Sequence, residues 1–255
     1  MFARGKTRVG AALCLLLGLG ARASSAQSAS QLGAWDALML SPAGALTPVA
    51  HDPGEVAAGA RELSLRYGRW RYDADDAVHD NIGVTWTYHF GRARTQLAIT
   101  AAYGLVECPT CSGWTMGGVD LQSTAYSRDF ATSSPRPITA GVEVRGSLGF
   151  ARYRGEGTPT AVSASLVMPL EVSLPVPLES RVTLALIPGF GYGEITSADA
   201  AEGTVLPMLG GAVAWSVTSR LSINLGLQRV VLQGGPMQIG TAVSWAFGTH
   251  GGLRK

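Results

Sequence analysis

Two cysteines, Cys108 and Cys111, lie three positions apart and are the first candidates for chemistry. A thioredoxin-like redox pair needs the start of a helix in a βαβ unit, and no helical pattern surrounds these residues. A zinc site needs further cysteine or histidine ligands nearby. In an exported protein the default for such a pair is a disulfide. We therefore predict a disulfide that closes a short loop. Thiol labelling of the unreduced, denatured mature protein should find no free thiol, because Cys14 lies in the N-terminal segment that is removed on export.

Histidine and carboxylate side chains give little sign of a catalytic or metal site. The four histidines are His51, His79, His89 and His250. His89 lies in a predicted strand, with no serine or aspartate at a catalytic spacing. His79 lies close to Asp75, Asp76 and Asp80, which indicates a solvated acidic loop or, as the alternative, a weak cation site. The sequence therefore predicts no catalytic residue, no resident metal and no cofactor, and we expect the chain not to be an enzyme.

A set of charged and amide side chains occurs at alternate positions, among small residues, in the segments predicted to be strands. They share the face opposite the apolar residues and are Glu62, Arg66, Asp120, Glu143, Arg145, Glu171, Asn224 and Gln228. If that face lies inside a narrow barrel, its charges must pair with one another or be wetted by a channel. Two interpretations stay open: a lumen that is closed by ion pairs, and a narrow polar pore.

Residues 1–26 have the features of a secretory signal peptide. Arg4, Lys6 and Arg8 precede an apolar run, and small residues lead to a cleavage position after Ala26. The run is too short to span a membrane as a helix. Removing the signal takes away four of the 20 basic residues and none of the 18 acidic ones, so the net charge falls from +2 to −2. No basic patch remains, which excludes nucleic acid as a partner.

The rest of the chain alternates apolar residues with small or polar ones. Charged residues make up 15% of the sequence, against about 25% in ordinary soluble domains. No apolar run after the signal reaches the ~18 residues of a spanning helix. The alternating runs, of which Ile82–Phe90 is typical, number about ten and have the ~10-residue length of tilted barrel strands.

This alternation predicts an all-β fold, an antiparallel up-and-down transmembrane β-barrel of about ten strands at residues 60–247. Before it lies a segment rich in Ala, Gly, Ser and Pro at residues 27–59, which we expect to be a partly disordered periplasmic lead-in. Residues 248–255 form a C-terminal extension.

Aromatic residues of the predicted outer face concentrate near the strand ends, as the two interfaces of a bilayer select. One rim would hold Trp70, Tyr72, Tyr103, Trp114, Phe150, Phe190 and Tyr192, and the other Tyr88, Phe90, Tyr126, Trp215, Trp245 and Phe247. This sorting requires the alternation to shift at a bulge near Gly68. Pro169, Pro188 and Pro207 fall inside predicted strands, and we expect a bulge or a rim position at each.

The last predicted strand has a more specific pattern. Gln238 is followed two positions later by Gly240, and Val243, Trp245 and Phe247 follow at alternate positions. This resembles the closing strand of bacterial outer-membrane β-barrels, which carries the signal read by the barrel assembly machinery. Family members usually end at that last aromatic residue, whereas this chain continues to Lys255.

The resemblance implies the outer membrane of a Gram-negative-type bacterium, with outer-membrane lipid and the assembly machinery as partners. The expected role is structural, or a porin-like passive permeation through a narrow lumen. The alternative is a soluble periplasmic barrel that binds an apolar ligand inside, as lipocalins do. In that alternative the small-residue face would meet water, although it carries few Lys and Glu for a solvated surface.

Overall fold

The computed structural model describes residues 59–71, 78–90, 95–106, 113–130, 137–153, 160–177, 180–196, 201–232 and 235–247. Eleven strands lie in these ranges: β1 Arg61–Arg71, β2 Val78–Phe90, β3 Thr95–Val106, β4 Trp114–Phe130, β5 Ile138–Tyr153, β6 Thr160–Val167, β7 Leu170–Pro175, β8 Arg181–Thr196, β9 Ala201–Ser216, β10 Leu221–Val230 and β11 Met237–Phe247. This part of the chain contains no helix that is long and apolar enough to cross a membrane.

The strands form one closed antiparallel barrel. Each strand pairs with its neighbours in the chain, except that β6 and β7 do not pair with each other. β11 pairs with β1 from Arg61↔Phe247 to Arg71↔Met237 and so closes the barrel. β6 and β7 both lie between β5 and β8 and are two halves of one strand, so the barrel has ten strands. The predicted fold class and strand number are confirmed.

Because the number of strands is even, the first and the last strand have their outer ends on the same side of the barrel. Arg61 and Phe247 lie side by side at one end, which we call the termini end. The opposite end, which we call the loop end, carries the links at 72–77, 107–113, 154–159, 197–200 and 231–236.

Successive residues point to opposite faces of each strand, and the two faces differ sharply in composition. Leu65, Leu148 and Leu225 are 55%, 67% and 53% exposed on the outer face. The opposite positions, for example Ser64, Ser147 and Asn224, are buried in the interior. A soluble lipocalin-like barrel needs the reverse arrangement, with the apolar face inside, so the structure does not support that alternative.

Two of the predicted rim aromatics face inward instead. Trp70 is fully buried and Trp114 nearly so. The predicted shift at Gly68 is wrong, because β1 pairs in one register through Gly68↔Asn81 and Gly68↔Gly240. The physical reason is that apolar side chains line part of the interior at the loop end, and they accept large indole rings as readily as a bilayer interface does.

The three prolines behave differently from one another. Pro169 separates β6 from β7, and its carbonyl accepts a hydrogen bond from the Glu143 amide at 2.9 Å. The sequence predicts a bulge or a rim position at each proline. Pro188 and Pro207 lie within β8 and β9, whose pairing has no register shift, so neither forms a bulge in that ladder. Pro207 lies just beyond the end of the paired β10, where its carbonyl accepts from the Val231 amide at 2.8 Å. The register shift that does occur is between Thr124 and Tyr126 on β4.

Candidate functional site

The polar part of the barrel interior is built around Gln122 on β4. Gln122 lies opposite Arg145 on β5, and Thr124 lies opposite Glu143. The Gln122 amide nitrogen donates to Glu143, and its oxygen accepts from Arg145 Nε at 2.7 Å. Thr124 Oγ1 donates to the other Glu143 oxygen at 3.2 Å. Glu143 and Arg145 are therefore joined through an amide that the sequence did not single out.

Arg66 on β1 extends this polar region. Its guanidinium is attracted by the carboxylates of Asp120 and Glu62 and repelled by Arg145. Glu62 in turn accepts from Ser64 Oγ at 3.0 Å and lies 3.8 Å from His89 Nε2. The predicted charges of β1, β4 and β5 thus interact across the lumen, since β1 and β5 are four strands apart in the ten-stranded ladder.

A second polar group lies at the termini end, around Arg181. Arg181 Nε donates to Ser173 Oγ at 3.0 Å, and Nη2 donates to Thr139 Oγ1 at 3.3 Å and to the Pro137 carbonyl at 3.4 Å. Thr139 donates onward to Asp129 at 2.8 Å. This buried arginine ties β5, β7 and β8 together. The sequence did not indicate this role of Arg181, because Arg181 is only the first residue of its strand.

The remaining predicted interior residues are also buried, and Glu171 lies opposite Gly141 on β5, two positions from Glu143. Glu171 and Asn224 are each 1% exposed, on β7 and β10. Gln228 is buried further along β10, where its amide donates to Met208 Sδ at 3.1 Å. Buried polar atoms in such an interior are satisfied by protein groups or by water.

Apolar clusters occupy part of the interior at the loop end. One cluster consists of Trp70, Leu206, Met208 and Val230, with Val167 packed against it. Trp70 lies on β1 and Val167 on β6, which are five strands apart in either direction around the ten-stranded ladder. These two strands form opposite walls, and the cluster connects them by way of β9 and β10. We call it the Trp70 cluster.

A second apolar cluster occupies the other side of the same end. It contains Trp114, Met116, Ala151 and Ala161, with Ala102 and Ile195 packed against it. Trp114 is the first residue of β4 and Ala161 the second of β6, so this cluster also lies close to the loop end. Together the two clusters take side chains from most of the surrounding strands. Buried polar side chains lie at the same end, namely His79, Asn81, Gln228 and Gln238. The charged residues lie on the termini side of the clusters.

The closing strand has its two faces where the pattern requires them. Gln238 and Gly240 point inward and are buried, whereas Val243, Trp245 and Phe247 point outward and are 47%, 51% and 39% exposed. β11 is paired along its length with β1 on one side and β10 on the other.

Cys108 and Cys111, the residues of the candidate disulfide, lie outside the described residues, so their disulfide stays a prediction.

Asp80, a residue of the candidate cation site, is already bound by protein groups. Arg69 donates to it from Nε to Oδ1 at 2.8 Å and from Nη2 to Oδ2 at 2.6 Å, and the Tyr67 hydroxyl also donates to it. Within the described ranges no three His, Cys, Asp or Glu side chains are grouped as metal ligands.

No protein-family model and no curated protein matches the sequence. Among solved structures the chain is similar to the β domain of the Bordetella autotransporter Brka, with 10% identity and a TM-score of 0.41 over 75% of this chain and 100% of that one. It is also similar to the N-terminal β-barrel domain of OprF from Pseudomonas aeruginosa, with 14% identity and a TM-score of 0.32 over 74% and 98%. A third likeness is to Ail, the attachment invasion locus protein of Yersinia pestis, with 12% identity and a TM-score of 0.26 over 75% and 100%.

The strand pairing of the chain itself establishes its fold. It is a closed ten-stranded antiparallel barrel with an apolar outer face, which is the architecture of bacterial outer-membrane β-barrels.

Proposed function

We propose that this protein is an outer-membrane β-barrel with a closed lumen and a structural role in the cell envelope. The observation that carries the location is the outer face, which is apolar between two charged rims. Leu65, Val84 and Leu225 belong to its middle. Arg61 faces outward at the termini end and Arg71 at the loop end. A membrane-spanning barrel needs such a band, about 25 Å tall.

The structural role is supported by how the lumen is filled. About eight strands enclose an interior that side chains can just fill, and ten enclose one that is only slightly wider. Here the Trp70 cluster occupies part of that space, and the charges beside it are held by Gln122 and by one another. Apolar side chains packed at the loop end and paired polar side chains on the termini side both oppose the passage of water and ions.

A narrow permeation path is the second candidate, and a specific observation favours it. The termini half of the lumen is polar, with buried His89, Gln96 and Asn224 in addition to the charged residues. If the Trp70 cluster rearranges, this half would supply a wetted route. For this second candidate function, Trp70 is the main barrier to conduction.

The partners of the proposed protein are outer-membrane lipid on the apolar belt and the barrel assembly machinery on the closing strand. The exposed aromatics of β11 support the second partner, because Trp245 and Phe247 lie at the strand end and project outward. The interior groups described above serve packing and pairing, and we propose no catalytic activity and no nucleic-acid partner.

Fractionation of cells that export the full chain tests the location. We expect the protein in the outer-membrane fraction, and we expect unheated and boiled samples to migrate differently in SDS electrophoresis because a folded barrel resists the detergent. A freely soluble protein that migrates identically before and after boiling would overturn the proposal.

A further inference from the structure

Two prolines meet at the break in the barrel wall between β6 and β7. Pro169 is the residue before β7, and Pro188 lies near the middle of β8. The pairing of β6 and β7 with their neighbours keeps one register across the break. That register places Met168 opposite Pro188 on β8. It places Pro169 opposite Glu143 on β5.

Each of these prolines removes one hydrogen bond from the ladder. The Met168 amide donates to the Pro188 carbonyl at 2.9 Å, and the Glu143 amide donates to the Pro169 carbonyl at 2.9 Å. In a regular antiparallel ladder such a pair also exchanges the reciprocal bond, but proline has no N–H to donate. The wall therefore lacks one reciprocal bond toward β8 and one toward β5, at two adjacent residues.

The break lies at a depth where lipid, rather than water, faces the outer surface of the proposed barrel. Met168 and Leu170 beside the break are each 38% exposed on the apolar outer face. Hydrocarbon supplies no donor to a backbone carbonyl, so a missing ladder bond is costly at this depth. Residues Val167–Leu170 together with Pro188, which we call the proline seam, are therefore a weak point of the wall.

An apolar group lines the lumen behind the proline seam. Ile187, the residue before Pro188, is 3% exposed and packs with three alanines of β8 and β9, namely Ala185, Ala212 and Ala214. This group contains no polar side chain, whereas β1, β4 and β5 carry the charges of the Gln122 region. Small apolar side chains at this position suit a hydrocarbon chain better than an ion or a polar solute.

Val167 covers the seam from inside. A Cβ atom added at Gly189 on β8 would lie 2.5 Å from Val167 Cγ1 and 2.5 Å from the Leu166 carbonyl oxygen, so Val167 packs directly on the β8 backbone. Val167 also contacts the apolar group around Ile187, and it is the last residue of β6, next to the break. A movement of the break carries Val167 with it and joins the apolar group inside to the apolar belt outside.

We propose that the barrel wall opens laterally at the proline seam and admits one hydrocarbon chain of a membrane lipid to the apolar group behind it. This inference rests on the proposed membrane location. The chain enters from the side, between β5 and β8, so it needs no open path along the barrel axis.

The test uses the full chain folded in phosphatidylcholine vesicles that contain a phospholipid with a photoreactive diazirine on its acyl chain, and mass spectrometry locates the labelled residues. We expect labelling at the inward residues Val167 and Ile187 and at the outward residue Leu225. Thr85, which faces the lumen on β2 away from the seam, should stay unlabelled.

Two results of the wild-type experiment would overturn the inference in different ways. Labelling at Leu225 without labelling at Val167 and Ile187 would exclude the lateral opening and leave the membrane location intact. An absence of labelling at Leu225 as well would overturn the membrane location and the inference together. Labelling of Thr85 as strong as that of Ile187 would show that lipid enters the lumen without using the seam.

Pro169→Val combined with Pro188→Val restores both N–H donors, and we expect it to lower the labelling of Val167 and Ile187 to the level of Thr85. The matched control is Pro207→Val, because Pro207 also lies within a strand but away from the break. It should leave the inward labelling unchanged. Equal labelling of the double variant and the wild type, or an equal loss in the control, would contradict the lateral opening. Electrophoresis of unheated samples checks that each variant is folded.

Discussion

At the scale of single residues, Gln122 is the group that organises the interior charges. Its amide donates to Glu143 while its oxygen accepts from Arg145 at 2.7 Å. An amide can donate and accept at once, so it satisfies two opposite charges that lie two positions apart on the same strand. The interior is thus a connected network, in which the loss of one member affects the others.

We expect Gln122→Leu to lower the free energy of unfolding by about 2–3 kcal/mol, the range for hydrogen bonds to charged groups. A urea titration of the barrel folded in lipid vesicles measures this. The control is Gln96→Leu, because Gln96 lies opposite Gln122 on β3 and its buried oxygen has no hydrogen-bond partner among the described residues. That control should cost less than about 1 kcal/mol, and equal costs would contradict the role given to Gln122.

At the scale of an element, the two faces of β10 differ in composition and in exposure. Ile223, Leu225 and Leu227 share its outer face and are exposed. Asn224 and Gln228 share the inner face and are buried. In a membrane the energetic cost of a charge on the outer face depends on depth, whereas on a water-exposed surface it would not.

Leu225→Arg places a charge near the middle of the proposed belt, and we expect a loss of about 2–4 kcal/mol in folding stability. Leu221→Arg is the depth control, since Leu221 is the first residue of the same strand and has the same outward parity. It should cost about 0–1 kcal/mol. Folding titrations into vesicles compare the two variants, and equal costs would argue against membrane embedding.

The strand faces could be predicted from the sequence because side chains alternate by geometry. Glu143, Glu171 and Asn224 lie inside for that reason. Trp70 was misplaced, because an indole suits a bilayer interface and an apolar interior equally well. The partners of Gln122 and Arg181 could not be predicted, because they depend on the register between paired strands, which the alternation of side chains does not set.

At the scale of the whole molecule, the barrel interior combines apolar clusters with paired polar groups. The apolar clusters around Trp70 and Trp114 lie at the loop end beside buried amides such as Gln238, and the paired charges lie on the termini side. Packed apolar side chains leave little room for water, and charges that are already paired attract ions only weakly. This arrangement is the physical basis for the structural role.

Conductance recordings in planar lipid bilayers show whether the lumen is closed. We expect wild-type protein to give no steady conductance, whereas Trp70→Ala should give frequent openings because it removes the largest side chain of the Trp70 cluster. Trp245→Ala is the matched control, since Trp245 faces outward and should leave the lumen closed. A steady, porin-sized conductance of the wild-type protein would contradict the account.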